Sequence, residues 1–169
     1  QDADVILYAK WIPNGTPNTS VSGVITSDTT WTLAGSPYIV TGDVQIPDGV
    51  TLTIESGVIV KYTGPYEILV KGAVIANGTL NNSILFTSDT PTVSSGATML
   101  KFEGADLSLS QINHVKMEYA SKAIRIGDES EHNQRPKNTG TLTASNIEII
   151  AAEVLTDGYN TEAKLILNN

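Results

Sequence analysis

Residues 35–78 decide the fold, and they read GSPYIVTGDVQIPDGVTLTIESGVIVKYTGPYEILVKGAVIANG. Glycines recur here at positions 35, 42, 49, 57, 64, 72 and 78, and short runs such as YIV, TLTI and EILV lie between them. These runs are rich in β-branched residues and are bounded by turn residues, which is typical of short β-strands. A helix is disfavoured, because each interior glycine costs about 1 kcal/mol relative to alanine.

A longer period lies behind the glycines, since Gly35 to Gly57 and Gly42 to Gly64 span the same offset of 22. A shift by this offset places apolar positions on apolar positions: Val40 on Tyr62, Ile46 on Ile68, Leu52 on Val74, and Ile54 on Ala76. Three strands in each turn, with the turns stacked, would bury their inner faces in one continuous core. We therefore predict an all-β fold, a right-handed three-sided parallel β-helix (a solenoid) with about 22 residues per turn. An antiparallel sandwich also uses many short strands, but it does not explain this offset.

Several short sequence motifs resemble those of secreted β-helix-repeat proteins, whose shape is related to the pectate-lyase-like β-helices. The resemblance is best over residues 23–126. The motifs that carry it are Trp31–Thr32, Pro37–Val40, Gly49–Gly57, Asn77–Thr79 and Ile84–Ser88. The family often continues with Trp-x-Gly-Ile, whereas this chain has ATMLKF at 97–102. The resemblance implies a fold but little chemistry.

The chain divides into two expected regions. Residues 1–22 contain Pro13, Gly15 and Pro17, which predicts a linker or an irregular N-terminal segment. The β-helix is expected over 23–169, with an N-terminal cap at 23–36 and a polar surface loop at 127–140. The last strand, 163–167, has no polar cap after it, so we expect either further domains in the native chain or an end-to-end homodimer.

Composition narrows the class of partner. The net charge is −8 with two arginines, so we predict no nucleic-acid binding. The chain has no cysteine for disulfides or thiolate metal sites, and no apolar run long enough to predict a membrane span. It begins with QDADV, which predicts that any signal peptide has been removed. The expected location is secreted or at the cell surface.

The acidic residues do not form a recognisable catalytic group. Lyases of this fold use clustered aspartates and a basic residue, but Asp43, Asp48, Asp89 and Asp106 are expected on different turns. Arg125 lies between two isoleucines and should point outward. Hydrolases use several carboxylates on adjacent turns, whereas Glu55, Glu67 and Glu103 are interpreted as solvated residues.

Other candidate sites are equally sparse. Four residues of the polar loop could hold a cation, although a solvated acidic loop is the simpler interpretation: Asp128, Glu129, Glu131 and His132. His114 is expected at a turn, and Trp31 and Tyr66 are expected in the core, so only Trp11 is left for sugar stacking. Asn14, Asn18, Asn77 and Asn81 begin N-glycosylation patterns.

Threonine pairs suggest one further possibility, an ice-binding face. The pair Thr30 and Thr32 recurs one expected turn later as Thr51 and Thr53. The turn after that is expected to present Lys71 and Ala73, so the array should stop.

We predict a non-enzymatic structural or adhesive module with no catalytic residues, metal ligands or cofactor. The alternative is a carbohydrate-active module that binds or cleaves a cell-surface or extracellular polysaccharide along one face. A row of outward aromatic residues or clustered carboxylates would favour that alternative.

Overall fold

The computed structural model describes residues 18–89, 96–127 and 137–150, and the backbone of two further strands, Glu153–Thr156 and Lys164–Asn168. Apart from short 3₁₀ helices at Leu33–Gly35 and Leu107–Leu109, the regular structure described is β. The strands are β1 (Thr19–Val24), β2 (Thr29–Trp31), β3 (Tyr38–Ile46), β4 (Thr51–Ile54), β5 (Ile59–Tyr62), β6 (Glu67–Val70), β7 (Ala73–Asn77), β8 (Ile84–Ser88), β9 (Thr98–Phe102), β10 (Gln111–Glu118), β11 (Lys122–Ile126), β12 (Thr141–Ile150), β13 (Glu153–Thr156) and β14 (Lys164–Asn168).

All 14 strands belong to one sheet, and every pairing between them is parallel. The prediction of an all-β, parallel, solenoid-like fold is therefore confirmed. Parallel strands that follow one another in sequence cannot be joined by tight hairpins. Each strand instead pairs with one that lies a full pass earlier or later in the chain.

The pairings form three ladders, here called A, B and C. Ladder A contains 19–21, 38–40, β5, β8, 115–118 and 147–150. Ladder B contains 23–24, 44–46, β6, β9, β11 and β13. Ladder C contains β2, β4, β7, 111–113, 141–145 and β14. The chain visits A, B and C in this order on every pass, and one pass is called a coil, so that coils 1 to 6 begin at Thr19, Tyr38, Ile59, Ile84, Val115 and Ile147.

Alternating residues of all three ladders bury their side chains in one hydrophobic core. In ladder B the inner column is Ile46, Val70, Phe102 and Ile126, and in ladder C it is Ile54, Ala76, Ile112 and Ala144. Each of these residues is nearly inaccessible to solvent. Stacking the coils therefore removes from water a face that no single coil could bury, which is a major source of stability in such folds.

Trp31 and Tyr66 are the two aromatic residues for which the sequence predicts positions in the core. Trp31 is 4% exposed and stacks on Tyr38, with ring centroids 4.8 Å apart. Tyr66 is half-buried and packs against the edge of the core. The prediction of core positions is confirmed for Trp31 and holds in part for Tyr66.

The expected register is right on two ladders and wrong on the third. Val40 pairs with Tyr62 and Leu52 with Val74, each at the predicted offset of 22. Ile46, however, pairs with Val70, at an offset of 24, and not with Ile68.

The lengths of the corners explain this difference. Between ladders A and B, the inner positions are separated by 41–43 in coil 2 and by the longer segment 63–67 in coil 3. Between ladders B and C, they are separated by 47–51 in coil 2 but only by 71–73 in coil 3. The second corner removes the two residues that the first adds, so the offset returns to 22 on ladder C.

Later coils depart further from a period of 22. The offset is 26 between Val60 and Phe86, and 36 between Ile75 and Gln111. It falls again to 24 between Leu100 and Ile124. The strands keep their ladders while corner segments such as 78–83, 89–97 and 103–110 absorb the additional residues.

Two segment boundaries differ from expectation. Strand β1 begins at Thr19, inside the segment 1–22 for which an irregular conformation is expected, and it pairs with β3. At the end of the expected surface loop 127–140, Asn138 is fully buried and Thr139 forms a parallel bridge with Asp106. The loop therefore rejoins the coils before Gly140, while 128–136 lie outside the described residues.

Candidate functional site

Several acidic side chains connect one coil to the next. Asp28 Oδ1 accepts a hydrogen bond of 2.9 Å from Thr51 N, and Asp43 Oδ1 accepts one of 3.0 Å from Glu67 N. Glu55 Oε2 accepts a hydrogen bond of 2.9 Å from Leu33 N. The partners in each pair lie one coil apart in the sequence, so the carboxylates bind backbone N–H groups at corners of the neighbouring coil.

Uncharged side chains make the same kind of connection. Ser36 Oγ accepts from Ile59 N at 2.9 Å, and Ser110 Oγ accepts from Val74 N at 3.0 Å. Asn138 bridges two backbone groups, because its Oδ1 accepts from Ala105 N and its Nδ2 donates to Phe102 O, both at 2.8 Å. We call these side chains and the three carboxylates above the inter-coil staples. They satisfy backbone donors and acceptors that the ladders leave free at corners.

Outer face A, the outward side of ladder A, carries ion pairs both within a coil and between neighbouring coils. Lys61 pairs with Asp89, and Lys116 Nζ lies 3.1 Å from Glu118 Oε2 and 4.0 Å from Glu148 Oε1. The hydrogen bond that Lys116 donates to the Glu118 carboxylate, followed by the negative charge of that carboxylate, raises the pKa of Lys116. Because these groups reach solvent, each ion pair contributes little to stability.

Outer face B, the outward side of ladder B, holds a denser charged group. Lys101 Nζ lies 3.3 Å from Glu67 Oε1 and 3.6 Å from Glu103 Oε2. Glu103 is only 7% exposed, so the interpretation of this residue as solvated is wrong. Arg125 is in register with Lys101 on the outward side, as predicted, yet it is 6% exposed. The outward side of the sheet is therefore covered at these two positions.

The corner between ladders C and A contains an amide group that sequence reasoning missed. Asn113 Oδ1 accepts hydrogen bonds from Ser145 Oγ at 3.0 Å and from Asn146 Nδ2 at 2.8 Å. His114 follows it, with its Nδ1 2.9 Å from the same oxygen and a positive φ of 49°. Strand β10 changes from ladder C to ladder A here, so His114 does lie at a corner. The available signal was an Asn or Ser at the end of three consecutive ladder C segments, at Asn77, Asn113 and Ser145.

Outer face C, the outward side of ladder C, differs from the other two. Its central column runs Thr30, Thr53, Ile75, Gln111 and Thr143. In the five strand segments of this ladder whose side chains are described, there is no charged residue. The threonine array expected from the sequence is out of register by two residues. Thr30 pairs with Thr53 and not with Thr51, and on the next coil Ala73 pairs with Thr51 and Ile75 with Thr53.

The aspartates do not converge on a cation site. Asp43 and Asp48 both lie on coil 2, and Asp89 and Asp106 both lie on coil 4, so the four are distributed over two different turns that are not adjacent. Within the described ranges, no three histidine, cysteine or carboxylate side chains are close enough to hold a metal ion. The loop candidates Asp128, Glu129, Glu131 and His132, and also Trp11 and Asn14, lie outside those ranges.

The glycosylation patterns occupy different settings. Asn77 Nδ2 on coil 3 donates a hydrogen bond of 3.0 Å to Gln111 Oε1 on coil 4. Asn81, in contrast, is exposed in the turn between Thr79 and Asn82. Asn18 is exposed immediately before β1.

None of the described residues forms a helix of the length and hydrophobicity that a membrane span requires. Comparison of the chain with protein-family models, with curated proteins and with solved structures gave no match. What the chain does must therefore be inferred from its own residues and their geometry.

Proposed function

We propose that this chain is a non-enzymatic structural or adhesive module of a secreted or cell-surface protein. In this proposal the three ladders close into a right-handed, three-sided parallel β-helix, in which coils 2 and 3 repeat at the offset of 22 on ladders A and C. The fixed order of ladders A, B and C supports a single sense of winding, and parallel crossover connections are right-handed in nearly all proteins. The resemblance to secreted β-helix-repeat proteins supports the same architecture.

One observation carries the functional part of the proposal: the acidic side chains are used to connect coils. Asp28, Asp43 and Glu55 each accept a backbone N–H from the neighbouring coil, at separate corners. Lyase and hydrolase chemistry instead requires an acid and a base that converge on one bond of the substrate. Carboxylates dispersed as staples favour rigidity over catalysis.

The core supports a mechanical role as well. Each coil contacts its neighbours through three parallel ladders, and the apolar columns continue from coil to coil. Such an array is stabilised mainly by interfaces between adjacent repeats, so its length and surface are set by the number of coils. A rigid body of this kind suits a spacer or a display surface.

The test of a non-enzymatic role is an assay of the intact 169-residue chain on polygalacturonate, alginate and cellulose. We expect no release of reducing ends or unsaturated products above a heat-denatured control. Asp43→Asn and Glu103→Gln are informative variants, because each removes one charged group from a separate corner. Turnover by the parent chain that either variant abolishes would overturn the proposal.

The proposed partners follow from charge and edges. A net charge of −8 disfavours binding to nucleic acid, because the phosphate backbone is also negatively charged. Strand β14 pairs with β12, and its other edge is the expected surface for an end-to-end homodimer or for further domains. This assembly stays a prediction, which light scattering on the intact chain over a range of concentrations can test.

A further inference from the structure

Charge is segregated among the three outer faces. Outer face A presents Lys61, Lys116, Glu118 and Glu148, and outer face B presents Glu67, Lys101, Lys122 and Arg125. The described strand segments of outer face C present only hydroxyl, amide and apolar side chains. In a protein with a net charge of −8, this leaves the described strand segments of one outer face uncharged.

The hydroxyl groups of outer face C are also available. Thr30 and Thr143 are exposed and Thr53 is half-exposed, and within the described ranges no protein group hydrogen-bonds to their hydroxyls. By contrast, on outer face A the Thr87 hydroxyl donates to Glu118 Oε1 at 3.1 Å. The Thr87 hydroxyl of face A is thus partnered within the protein, whereas these three threonines retain donors and acceptors for a ligand.

The central column adds an apolar patch to these hydroxyls. Ile75 lies between Thr53 and Gln111 in the register, and it is half-buried. Neighbouring strands in a sheet lie about 4.8 Å apart, so the column presents hydroxyl, methyl and amide groups at regular intervals. A sugar polymer offers the complementary pattern, because its hydroxyls form hydrogen bonds while its C–H faces pack against apolar groups.

We propose that outer face C is the adhesive surface of this module, and that its ligand is an uncharged polysaccharide. The inference rests on the proposed adhesive function and names the ligand class for it. An uncharged ligand fits because a charged polymer would find no counter-charge on the described strand segments of this face. The face has no aromatic row in its described strand segments, so binding comes from many weak contacts along a polymer and depends on avidity.

The experiment is co-sedimentation of the intact chain with microcrystalline cellulose, chitin and insoluble β-glucan, with polygalacturonate as the charged comparison. The test variant is Thr53→Glu with Thr143→Glu, which places two carboxylates on the central column of face C. The matched control is Ser20→Glu with Gln45→Glu, which adds the same charge to the outward sides of ladders A and B. Unchanged thermal transitions in both variants establish that the fold is retained.

We expect the parent and control chains to bind at least one neutral polymer, independently of salt. The face C variant should bind about tenfold more weakly or worse, because its carboxylates must lose water against an uncharged ligand without gaining a partner. Equal binding by both variants, salt-dependent binding to polygalacturonate alone, or no binding to any neutral polymer would each overturn the assignment. So would ice adsorption lost in the face C variant together with unaltered polymer binding.

Failure of this inference is distinguishable from failure of the proposed function. Release of reducing ends from the neutral polymers by the parent chain would overturn the non-enzymatic role, whatever the face C variant does. Absence of both turnover and binding would overturn the adhesive face while leaving the structural role in place.

Discussion

The hydroxyl of Tyr62 donates a hydrogen bond of 2.6 Å to the carbonyl oxygen of Met99, inside the core. Both residues are fully buried. Met99 lies where the register between β6 and β9 shifts by one residue, since Glu67 pairs with Thr98 but Leu69 pairs with Lys101. The phenol thus provides a partner for a carbonyl at a β-bulge, where ladder hydrogen bonding is locally disrupted.

We expect Tyr62→Phe to lower the free energy of unfolding by about 1–3 kcal/mol, because the Met99 carbonyl then loses this hydrogen bond in a dry environment. Chemical denaturation followed by circular dichroism measures the change. Tyr66→Phe is the control, because Tyr66 is half-buried at the edge of the core. Equal stability of the two variants would mean that the Tyr62 hydroxyl contributes nothing.

The same phenol makes the protein sensitive to alkali. Burial raises the pKa of Tyr62 well above its usual value of 10.0. The folded protein therefore holds a proton that the unfolded chain loses near pH 10, and stability falls as the pH rises above that value. Below about pH 10 this contribution is fully present, since both states are then protonated at this residue.

We accordingly expect the midpoint of chemical denaturation to decrease as the pH is raised above about 10, and to decrease less in Tyr62→Phe than in the parent chain. The difference between the two proteins removes the contributions of lysines and other tyrosines, which the two share. Parallel pH profiles would show that Tyr62 does not control the alkaline transition.

Gly72 occupies the short corner that restores the offset of 22 on ladder C. A Cβ atom there would lie 2.1 Å from the Val50 carbonyl oxygen and 2.3 Å from that of Pro47, and neither is a flexible side-chain end. We expect Gly72→Ala to destabilise the fold by about 3 kcal/mol, because the backbone of two coils must separate.

Gly49→Ala is the matched control for that corner. A Cβ at Gly49 meets no atom within 4 Å, although its φ of 75° is unfavourable for alanine. The expected cost is about 1 kcal/mol, from backbone strain alone. Thermal unfolding of both variants measures the difference, and a Gly72→Ala protein as stable as Gly49→Ala would contradict the close approach of coils 2 and 3.

Asn138 should be the most sensitive of the uncharged inter-coil staples. Its side chain is fully buried and bonds both Ala105 N and Phe102 O. We expect Asn138→Ala to cost about 2–4 kcal/mol, since two buried backbone groups lose a partner. Thr139→Ala, at an exposed neighbouring position, should change the midpoint little. Hydrogen exchange at the Ala105 amide offers a local check, because that N–H is expected to lose protection only in Asn138→Ala.

The sequence predicts the core better than it predicts the corners. Alternation places Val40, Leu52 and Tyr62 inside because a strand has a period of two, and that rule does not depend on distant residues. The offset of 22 also holds where the corners on the two coils have equal total length. It fails at Ile46, because two residues are moved from one corner to the next, and no local propensity reports that exchange.

The outer faces are harder to predict for a different reason. An outward carboxylate such as Glu103 is usually solvated, and its burial here depends on what covers the sheet. The lack of charge in the described segments of outer face C becomes visible only when Thr53 is aligned with Ile75 and then with Gln111. The offsets between those partners are unequal, 22 and then 36, so a constant period does not find them.

Engineered disulfides can test the register of ladder B directly, since the chain has no native cysteine. Gln45 and Leu69 are partners on the outward side, at an offset of 24. Adjacent strands lie about 4.8 Å apart, within the range of Cα separations that a disulfide spans. We therefore expect Gln45→Cys with Leu69→Cys to form an intramolecular disulfide under mild oxidation, seen as loss of free thiols in a monomeric species.

Gln45→Cys with Glu67→Cys is the comparison, because it has the offset of 22 that the repeat in the sequence suggests. In the observed register, Glu67 lies two residues along the strand from the partner of Gln45. That step adds about 6.6 Å along the strand and takes the pair beyond the roughly 7 Å limit for an unstrained disulfide. Faster oxidation of the 45–67 pair than of the 45–69 pair would show that ladder B keeps the constant period, and that the two-residue exchange between corners does not occur.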